Sequence, residues 1–472
     1  MNYDVVIAGA GPVGLMLATE LRLAGVRVVV VERRTTLDTA AKAEGVNAAC
    51  AAAFERRGML PALQTVHRPF TNDAAKPAVA QPRFVGHLAG LQVRADLVAG
   101  EGWGMLQVPQ VEIERILGER AAELGVEVRR GVEVQRIAST DDVVAVGLSN
   151  GTTVRGGWLA GCDGGRSAVR RLAGFDVVGT DPEITGIQAV ATVEGADLLG
   201  RGWQYGPHGL YVYGPAPGRI RTFEFNRPLE DRTAPVTADE IQASLRRVSG
   251  VDVRVTDVRT AARVSDNARQ ATAYRRGRVL LCGDAAHVHP PFSGQGLNLG
   301  IGDAANLGWK LAATVRGWAP VGLLDSYEGE RHPIGAQVLD WTRAQVAIMR
   351  GDPASSAMRA VVADLLETSD GATYYAQRAS GLGQRYGGRD AERPVGCMTT
   401  RYADRMHGGR FLLVDPHACL ADVAATHPER VDRFVPRGDA PNALLIRPDG
   451  FVAWVSDGGP DGLREALGRW LV

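Results

Sequence analysis

Neither sign of charge dominates this chain. Lys plus Arg and Asp plus Glu both total 53, so neither a nucleic-acid-binding face nor attraction to an anionic membrane is expected. Cysteines are few: Cys50, Cys162, Cys282, Cys397 and Cys419. Their number is odd, and no two have Cys-x-x-Cys spacing. That argues against a disulfide framework, a metal cluster and a dithiol redox motif, and it suits a reducing cytoplasm. No apolar run reaches the length of a membrane span. The apolar N-terminus lacks a basic leader, so it is expected to belong to the mature fold rather than to a signal peptide. No internal repeat appears. What remains is a chain of 472 residues, 45% hydrophobic and 22% charged, long enough for two or three soluble domains. Glycine is abundant, at 58 residues, which suits tight turns and close backbone contact with a ligand.

The most informative stretch is Val5-Val6-Ile7-Ala8-Gly9-Ala10-Gly11-Pro12-Val13-Gly14-Leu15. An apolar strand runs into a Gly-x-Gly-x-x-Gly turn. A helical pattern follows at Leu15, Leu17, Ala18, Leu21 and Leu23, and Gly25 closes it. Val26 to Val31 reads as a second buried strand that ends in Glu32. This is a βαβ unit with an acid at the tip of its second strand. Gly9 permits the tight turn, Gly11 lets a pyrophosphate approach the backbone, and Gly14 allows close helix–strand packing. The helix N-terminus offers free N–H groups to phosphates. Glu32 can accept hydrogen bonds from a ribose hydroxyl.

Further along, Asn47 to Leu63 reads as a helix, Thr65 to Gln81 as a Pro-rich loop, and Phe84 to Val98 as a β excursion. Glu112 to Leu124 is amphipathic, with Ile113, Ile116, Leu117, Ala121 and Leu124 on one face. Val126–Val128, Val132–Val134, Val143–Leu148, Thr152–Val154 and Trp158–Ala160 read as strands, with Asn150-Gly151 as a hairpin turn. Residues 175–275 are β-rich with one helix, Asp239 to Val248. The chain then returns through a strand at Arg278 to Leu281. Helices follow at about Ile301 to Arg316, Leu324 to Arg350 and Ala354 to Leu366. Gly381 to Met398 reads as a linker. Strands at Phe411–Val414 and Ala443–Ile446, a hairpin and a last helix, Leu463 to Leu471, make a small separate α/β domain.

Two more motifs carry chemistry. Gly161-Cys162-Asp163-Gly164 ends a strand, and Ser167 is positioned to cap the next helix. Gly283-Asp284-Ala285-Ala286-His287-Val288-His289-Pro290-Pro291-Phe292-Ser293-Gly294-Gln295-Gly296-Leu297-Asn298 is the more specific. Asp284 at a strand end can hold a ribose or ribityl hydroxyl. The Pro pair stiffens a loop, and Gly294 and Gly296 bring backbone N–H groups near a ring system. His287 and His289 flank nothing else ligand-like. A metal is therefore not expected, and both are expected to pack at a cofactor edge.

These three motifs, in this order and spacing, resemble the FAD-dependent aromatic hydroxylases, the class A flavoprotein monooxygenases related to para-hydroxybenzoate hydroxylase. The match covers about the first 350 residues. It is nearest the polyketide hydroxylase and rifampicin monooxygenase branch. The fold implied is α/β: a Rossmann-type FAD-binding domain (1–174 and 276–395), an inserted β-rich substrate domain (175–275), and a small thioredoxin-like C-terminal α/β domain (396–472). Gly9, Gly11 and Gly14 would face the FAD pyrophosphate and Glu32 the adenosine ribose, with neighbouring Arg33 in the same cofactor-binding set. Gln110 matches a family glutamine that contacts FAD. Asp163 belongs to a motif associated with both FAD and NAD(P)H, and Asp284 would hold the ribityl and pyrophosphate region. Pro291, Gly294 and the backbone of Gly296, Leu297 and Asn298 would border the isoalloxazine. The family's Arg-Ala-x-Gly turn is here Lys42-Ala43-Glu44-Gly45. Lys42 keeps the charge but loses the planar guanidinium, which bears on flavin mobility and on the rate of flavin reduction.

The resemblance implies an NAD(P)H-consuming monooxygenase, with NADPH or NADH as co-substrate and molecular oxygen added to the flavin as a C4a-hydroperoxide. The substrate would be a bulky aromatic or polyketide. No catalytic triad is required, and the catalytic residues stay unassigned. The absence of a second Gly-x-Gly-x-x-Gly unit fits a nicotinamide bound transiently in a groove. Trp203, Tyr205, Tyr211, Tyr213, Phe223 and Phe225 are candidate pocket walls, against the competing reading that they are sheet core. Other activities compatible with the scaffold are Baeyer–Villiger or antibiotic-inactivating oxygenation, or flavin binding without oxygenation. A cytoplasmic monomer or homodimer is expected.

Overall fold

The computed structural model describes residues 3–38, 43–67, 84–206, 208–214, 216–226, 234–387, 394–437, 442–457 and 459–471. Its centre is the β-branched segment Tyr3–Ala8, whose Val5, Val6 and Ile7 are fully buried. This strand pairs in parallel with Val28–Glu32 on one side and Thr153–Gly161 on the other. Glu127–Arg130 extends the first side in parallel, and Val279–Leu281 extends the second. Arg275–Arg276 closes that edge as an antiparallel strand. Buried runs of Val and Ile with polar strand tips are what a parallel sheet covered by helices requires. Pro12–Leu23 supplies one cover and packs against Gln110–Glu123 and Gln295–Arg316. Gly308 permits that last contact, because a Cβ there would lie 2.4 Å from the Glu20 Cβ.

The sequence suggests two strands around Val154 and Leu159, but the chain makes one, Thr153–Gly161. Its first half pairs antiparallel with Val144–Leu148 across the Asn150-Gly151 turn. Its second half runs parallel to Tyr3–Ala8. The helix expected over Asn47 to Leu63 is also two elements, Ala48–Glu55 and Leu60–Val66, parted at Gly58, where φ is +73°. Asn47 caps the first by accepting the Cys50 N–H. Of the Pro-rich loop expected over Thr65 to Gln81, Thr65 and Val66 instead complete the second helix, and residues 68–81 lie outside the described residues.

The β-rich segment forms a five-stranded antiparallel sheet in the order Gly202–Gly206, Gly209–Tyr213, Arg219–Phe225, Ile184–Glu194, Arg254–Ser265. Helix Ala238–Ser249 covers one face, burying Ile241, Leu245 and Val248 against Ile187 and Tyr211. On the other face Leu210, Val212 and Phe223 pack with Phe292, Val346 and Met349. A three-stranded sheet of Val177–Thr180, Ala268–Ala271 and His287–Val288 stitches this segment to the chain that follows it.

Helix Gln295–Arg316 begins six residues earlier than the sequence suggests, and Ser369–Ser380 is a helix the sequence pattern did not reveal. The C-terminal unit is a four-stranded sheet in the order Val431–Phe434, Phe411–Val414, Ala443–Ile446, Val452–Ser456, covered by Leu463–Trp470. It shares a core with the preceding unit. Trp309 lies edge-on to Phe411 at 5.4 Å and to Trp470 at 6.0 Å between ring centroids. Among the described residues, no helix is long and apolar enough to cross a membrane, and no cluster of side chains could hold a metal ion.

Candidate functional site

The Gly-rich turn after Tyr3–Ala8 is dictated by contact. At Gly9 φ is +103°, and a Cβ would stand 2.4 Å from the Cys162 carbonyl oxygen. At Gly14 a Cβ would stand 1.9 Å from the carbonyl oxygen of Gly9. Gly11 differs: no heavy atom lies within 4 Å of where its Cβ would be. It caps Pro12–Leu23 with extended backbone and no side-chain hydrogen bond. The first-turn amides of that helix therefore keep no intrahelical partner and open onto free space. Glu32 reaches back to this turn. One carboxylate oxygen accepts the Ala10 N–H at 2.7 Å and the other accepts the Arg34 N–H at 2.8 Å. The carboxylate is thus fixed, with acceptor capacity left for a hydroxyl.

Around this turn lies a cavity of about 550 Å³. Gly9, Gly11, Glu32, Arg33, Gln110, Asp163, Asp284, Gly296 and Leu297 all line it. The fold therefore brings together motifs that are more than 250 residues apart in sequence. Gly14 stands behind the wall as a packing residue. Pro291, Gly294 and Asn298 do not line this cavity, and Lys42 lies outside the described residues. Gly294 caps Gln295–Arg316 at φ +60°, with open space before it. Gly296, Leu297 and Asn298 thus belong to the first turn of a 22-residue helix rather than to a loop. Asn298 is a buried tie. Its Oδ1 accepts the Asn47 N–H at 2.9 Å, and its Nδ2 donates to the carbonyls of Gly45 at 3.0 Å and Gly294 at 2.8 Å.

Two side chains act differently from their sequence-based reading. Asp163 borders the cavity, but its carboxylate turns to the next helix, Ala168–Leu172. It accepts the Ser167 hydroxyl at 2.5 Å and the N–H groups of Ala168 at 2.6 Å and Val169 at 3.1 Å. Ser167 in turn caps that helix by accepting the Arg170 N–H. His287 does not sit at a cavity edge: it is fully buried, 2.6 Å from Asp303. Asp303 also accepts the Gly283 N–H at 3.1 Å and Arg331 Nε at 2.7 Å. Burial pushes the Asp303 carboxyl up, but Arg331 and then His287 outweigh it and hold it below the usual range. This network fixes the turn Gly283–Ala285 that presents Asp284. Asp284 itself is exposed and makes no side-chain hydrogen bond among the described residues. His289 packs against the first turn of Gln295–Arg316, where a Cβ on Gly296 would come within 2.9 Å of its Nε2.

Sequence reasoning missed Asp303 and Arg331, and also Arg170, Asn267 and Arg269 along the cavity wall. Arg170 donates to the carbonyls of Gly165 at 2.7 Å and Ala285 at 2.8 Å, joining the second motif to the third. Only its place in the helix after Asp163 could have drawn notice. The aromatic candidates divide between sheet faces. Trp203 and Phe223 stack with centroids 6.3 Å apart, and Phe223 meets Phe292 at 5.1 Å. Tyr205 donates its hydroxyl to the Ala89 carbonyl at 2.6 Å. Tyr211 and Tyr213 pack on the opposite face, within the core under helix Ala238–Ser249.

Comparison with known proteins agrees with this arrangement. Residues 2–342 match the FAD binding domain family, and residues 381–472 match the C-terminal domain of aromatic-ring hydroxylases. The rifampicin monooxygenase of Streptomyces venezuelae is 39% identical over 483 residues, covering 96% of each chain. The dialkyldecalin synthase of Streptomyces rugosporus is 38% identical over 481 residues, 100% of this chain and 99% of that one. The structure of an anhydrotetracycline hydroxylase from Streptomyces rimosus matches with a TM-score of 0.88 at 37% identity, covering 100% of this chain and 99% of that one. The family matches, the shared fold and this identity over the full length lead to one conclusion: the chain belongs to the aromatic-ring hydroxylases, a family of FAD-dependent monooxygenases.

Proposed function

We propose that this chain uses FAD and NADH or NADPH to hydroxylate a bulky aromatic or polyketide substrate. The observation that carries the reading is a juxtaposition. Gly296 and Leu297 line the cavity, they follow Phe292 closely in the chain, and Phe292 packs on the aromatic face of the β-rich sheet. The cavity suits FAD on its own geometry. The open face of Gly11 and the adjoining helix amides take the pyrophosphate. Glu32 takes the adenosine ribose, with Arg33 beside it, and Asp284 takes the ribityl hydroxyls. The first turn of Gln295–Arg316 offers its amides to the flavin ring. When bound, FAD supplies electron transfer from the nicotinamide and the activation of oxygen. The chain's own residues orient and enclose. Asn298 holds that first turn against Gly45, Asp303 holds the turn of Asp284, and the Trp203–Phe223–Phe292 wall excludes water. Residues 175–275 act as the substrate domain beside the FAD-binding domain of 1–174 and 276–395. Residues 396–472 act as a thioredoxin-like domain without redox thiols.

Oxygen-18 incorporation tests the reading. A panel of polycyclic phenols is incubated with the protein, FAD and either nicotinamide under labelled oxygen. The expected result is a product heavier by one labelled oxygen atom. Release of FMN on denaturation, or no oxygenated product, overturns it. A second reading, flavin binding without oxygenation, draws support from the relative named as a synthase rather than an oxygenase. It expects product of unchanged mass without nicotinamide or oxygen.

A further inference from the structure

Strand Arg219–Phe225 presents two chemically distinct faces. Ile220, Thr222 and Glu224 turn to helix Ala238–Ser249, where Ser244 Oγ lies 2.8 Å from Thr222 Oγ1 and 2.7 Å from Glu224 Oε1. Alternation places Arg219, Arg221, Phe223 and Phe225 on the other face, the one shared with Trp203 and Phe292. Both arginines meet Glu44, with Arg221 at 4.0 Å. Glu44 precedes Gly45, whose carbonyl accepts Asn298 Nδ2 at 3.0 Å. The cluster therefore sits beside the first turn of Gln295–Arg316, at the end of the aromatic wall.

Among the described residues, two cations here share one carboxylate. The Nε atoms of Arg219 and Arg221 are buried and have no hydrogen-bond partner among the described residues. Burial, and then Arg221, push Arg219 down to about 10. The neighbouring His87, its ring 4.7 Å from Trp203, adds no further cation near neutral pH, since burial and then Arg221 hold it down to about 4. A surplus buried cation is unfavourable until an anion joins it. The cluster is reachable, because Glu44 and Arg221 keep 24% and 31% of their side-chain surfaces exposed.

We propose that Arg219 and Arg221 bind an ionised oxygen of the aromatic substrate, a phenolate or enolate, and that Glu44 occupies this position until the substrate displaces it. The proposal rests on the aromatic-substrate reading above and narrows it to acidic substrates. A planar guanidinium pair suits a delocalised oxyanion. A neutral ether in the same place would leave the arginines with Glu44 alone.

The test is equilibrium binding of lawsone, an acidic hydroxynaphthoquinone, and of its methyl ether. FAD-loaded protein is titrated at neutral pH without nicotinamide, and the flavin absorption spectrum is followed. Loss of a charge-assisted hydrogen bond predicts that Arg221→Gln weakens lawsone about tenfold or more, with little change for the ether. Glu44→Gln is expected to do the opposite, tightening lawsone severalfold and leaving the ether unchanged. An ion pair that serves only the fold would shift both ligands the same way in both variants, and that result overturns the proposal. Equal binding of the two ligands by the parent also overturns it while leaving the aromatic reading intact. Binding of neither ligand counts against the aromatic reading, and the proposal falls with it. If Arg221→Gln loses FAD, the sign of the Glu44→Gln effect decides.

Discussion

Asp303→Asn removes one charge and almost no volume, at the point where the cofactor turn is anchored. The parent carboxylate serves three donors: Gly283 N–H, His287 Nε2 and Arg331 Nε. The side chains of Asp303 and His287 are wholly buried and that of Arg331 is 1% exposed, so water cannot replace the lost partner. Breaking a buried ion pair by changing one member costs about 3–5 kcal/mol. The retained amide oxygen returns part of this, so about 3 kcal/mol of destabilisation is expected. A second effect is local. With Gly283 less firmly held, Asp284 is less well placed, and FAD affinity should fall by about tenfold, or about 1.4 kcal/mol. The sign with pH also follows. Asp303 is held below its usual 3.8, so its contribution is present above that value and is lost as pH falls through the lowered one. The variant should lack that part of the acid dependence. Urea denaturation of FAD-loaded and stripped protein, with a fluorescence titration of FAD, measures all three. A loss below about 1 kcal/mol with unchanged FAD affinity would refute the argument that this carboxylate positions the turn.

Gly11→Ala and Gly14→Ala should separate binding from folding: the first keeps the parent's circular dichroism but weakens FAD, while the second loses soluble protein, because its Cβ would sit 1.9 Å from the Gly9 carbonyl oxygen. Asp284→Ala should raise the FAD dissociation constant about ten- to a hundredfold through lost charge-assisted hydrogen bonds, with unfolding midpoints of the stripped protein unchanged. At Glu330, burial is outweighed by Arg447 and then Lys310, which hold the carboxyl down to about 2 from 4.5. Its stabilising contribution is full above 4.5 and drains away toward 2, so Glu330→Gln should flatten that part of the acid-unfolding curve read by tryptophan fluorescence. Cys397→Ser with Cys419→Ser should keep turnover in a product assay, since both thiols are free.

The sequence revealed most where structure is set by neighbours along the chain. The strand–turn–helix at Gly9 was legible because contact at Gly9 and Gly14 excludes any side chain, and because burial gives Val28–Glu32 its run of valines. The strand tips at Asp163 and Asp284 were found at the cavity for the same reason. What a carboxylate does there was less legible. Asp163 spends its oxygens on a short helix, and nothing in a Gly-Asp-Gly string distinguishes that from facing a ligand. The start of Gln295–Arg316 is hidden in the sequence because Gly294 and Gly296 look like loop residues. Gly294 is instead the left-handed cap, and Gly296 stands where a side chain would strike His289. Asp303, Arg331 and His287 meet only through tertiary packing, so no spacing announces them. The split of Tyr211 from Trp203 follows from strand register, which composition does not encode.

Arg57 has a consequence for the order in which this chain is made. It pairs with Glu20 at 2.7 Å, with side-chain exposures of only 1% and 3%. Its remaining N–H groups donate to the carbonyls of Met406 at 3.1 Å and Pro448 at 3.0 Å. Glu330 likewise relies on Arg447 as well as Lys310. During synthesis the early helices leave the ribosome long before these acceptors and this second cation exist. Until then Arg57 must stay hydrated, which holds the surrounding interior open to water. A chain without Pro448 leaves an Arg57 N–H with no acceptor in a site closed to water. The last small sheet thus completes the hydrogen bonding of an arginine that lies more than 300 residues earlier in the chain.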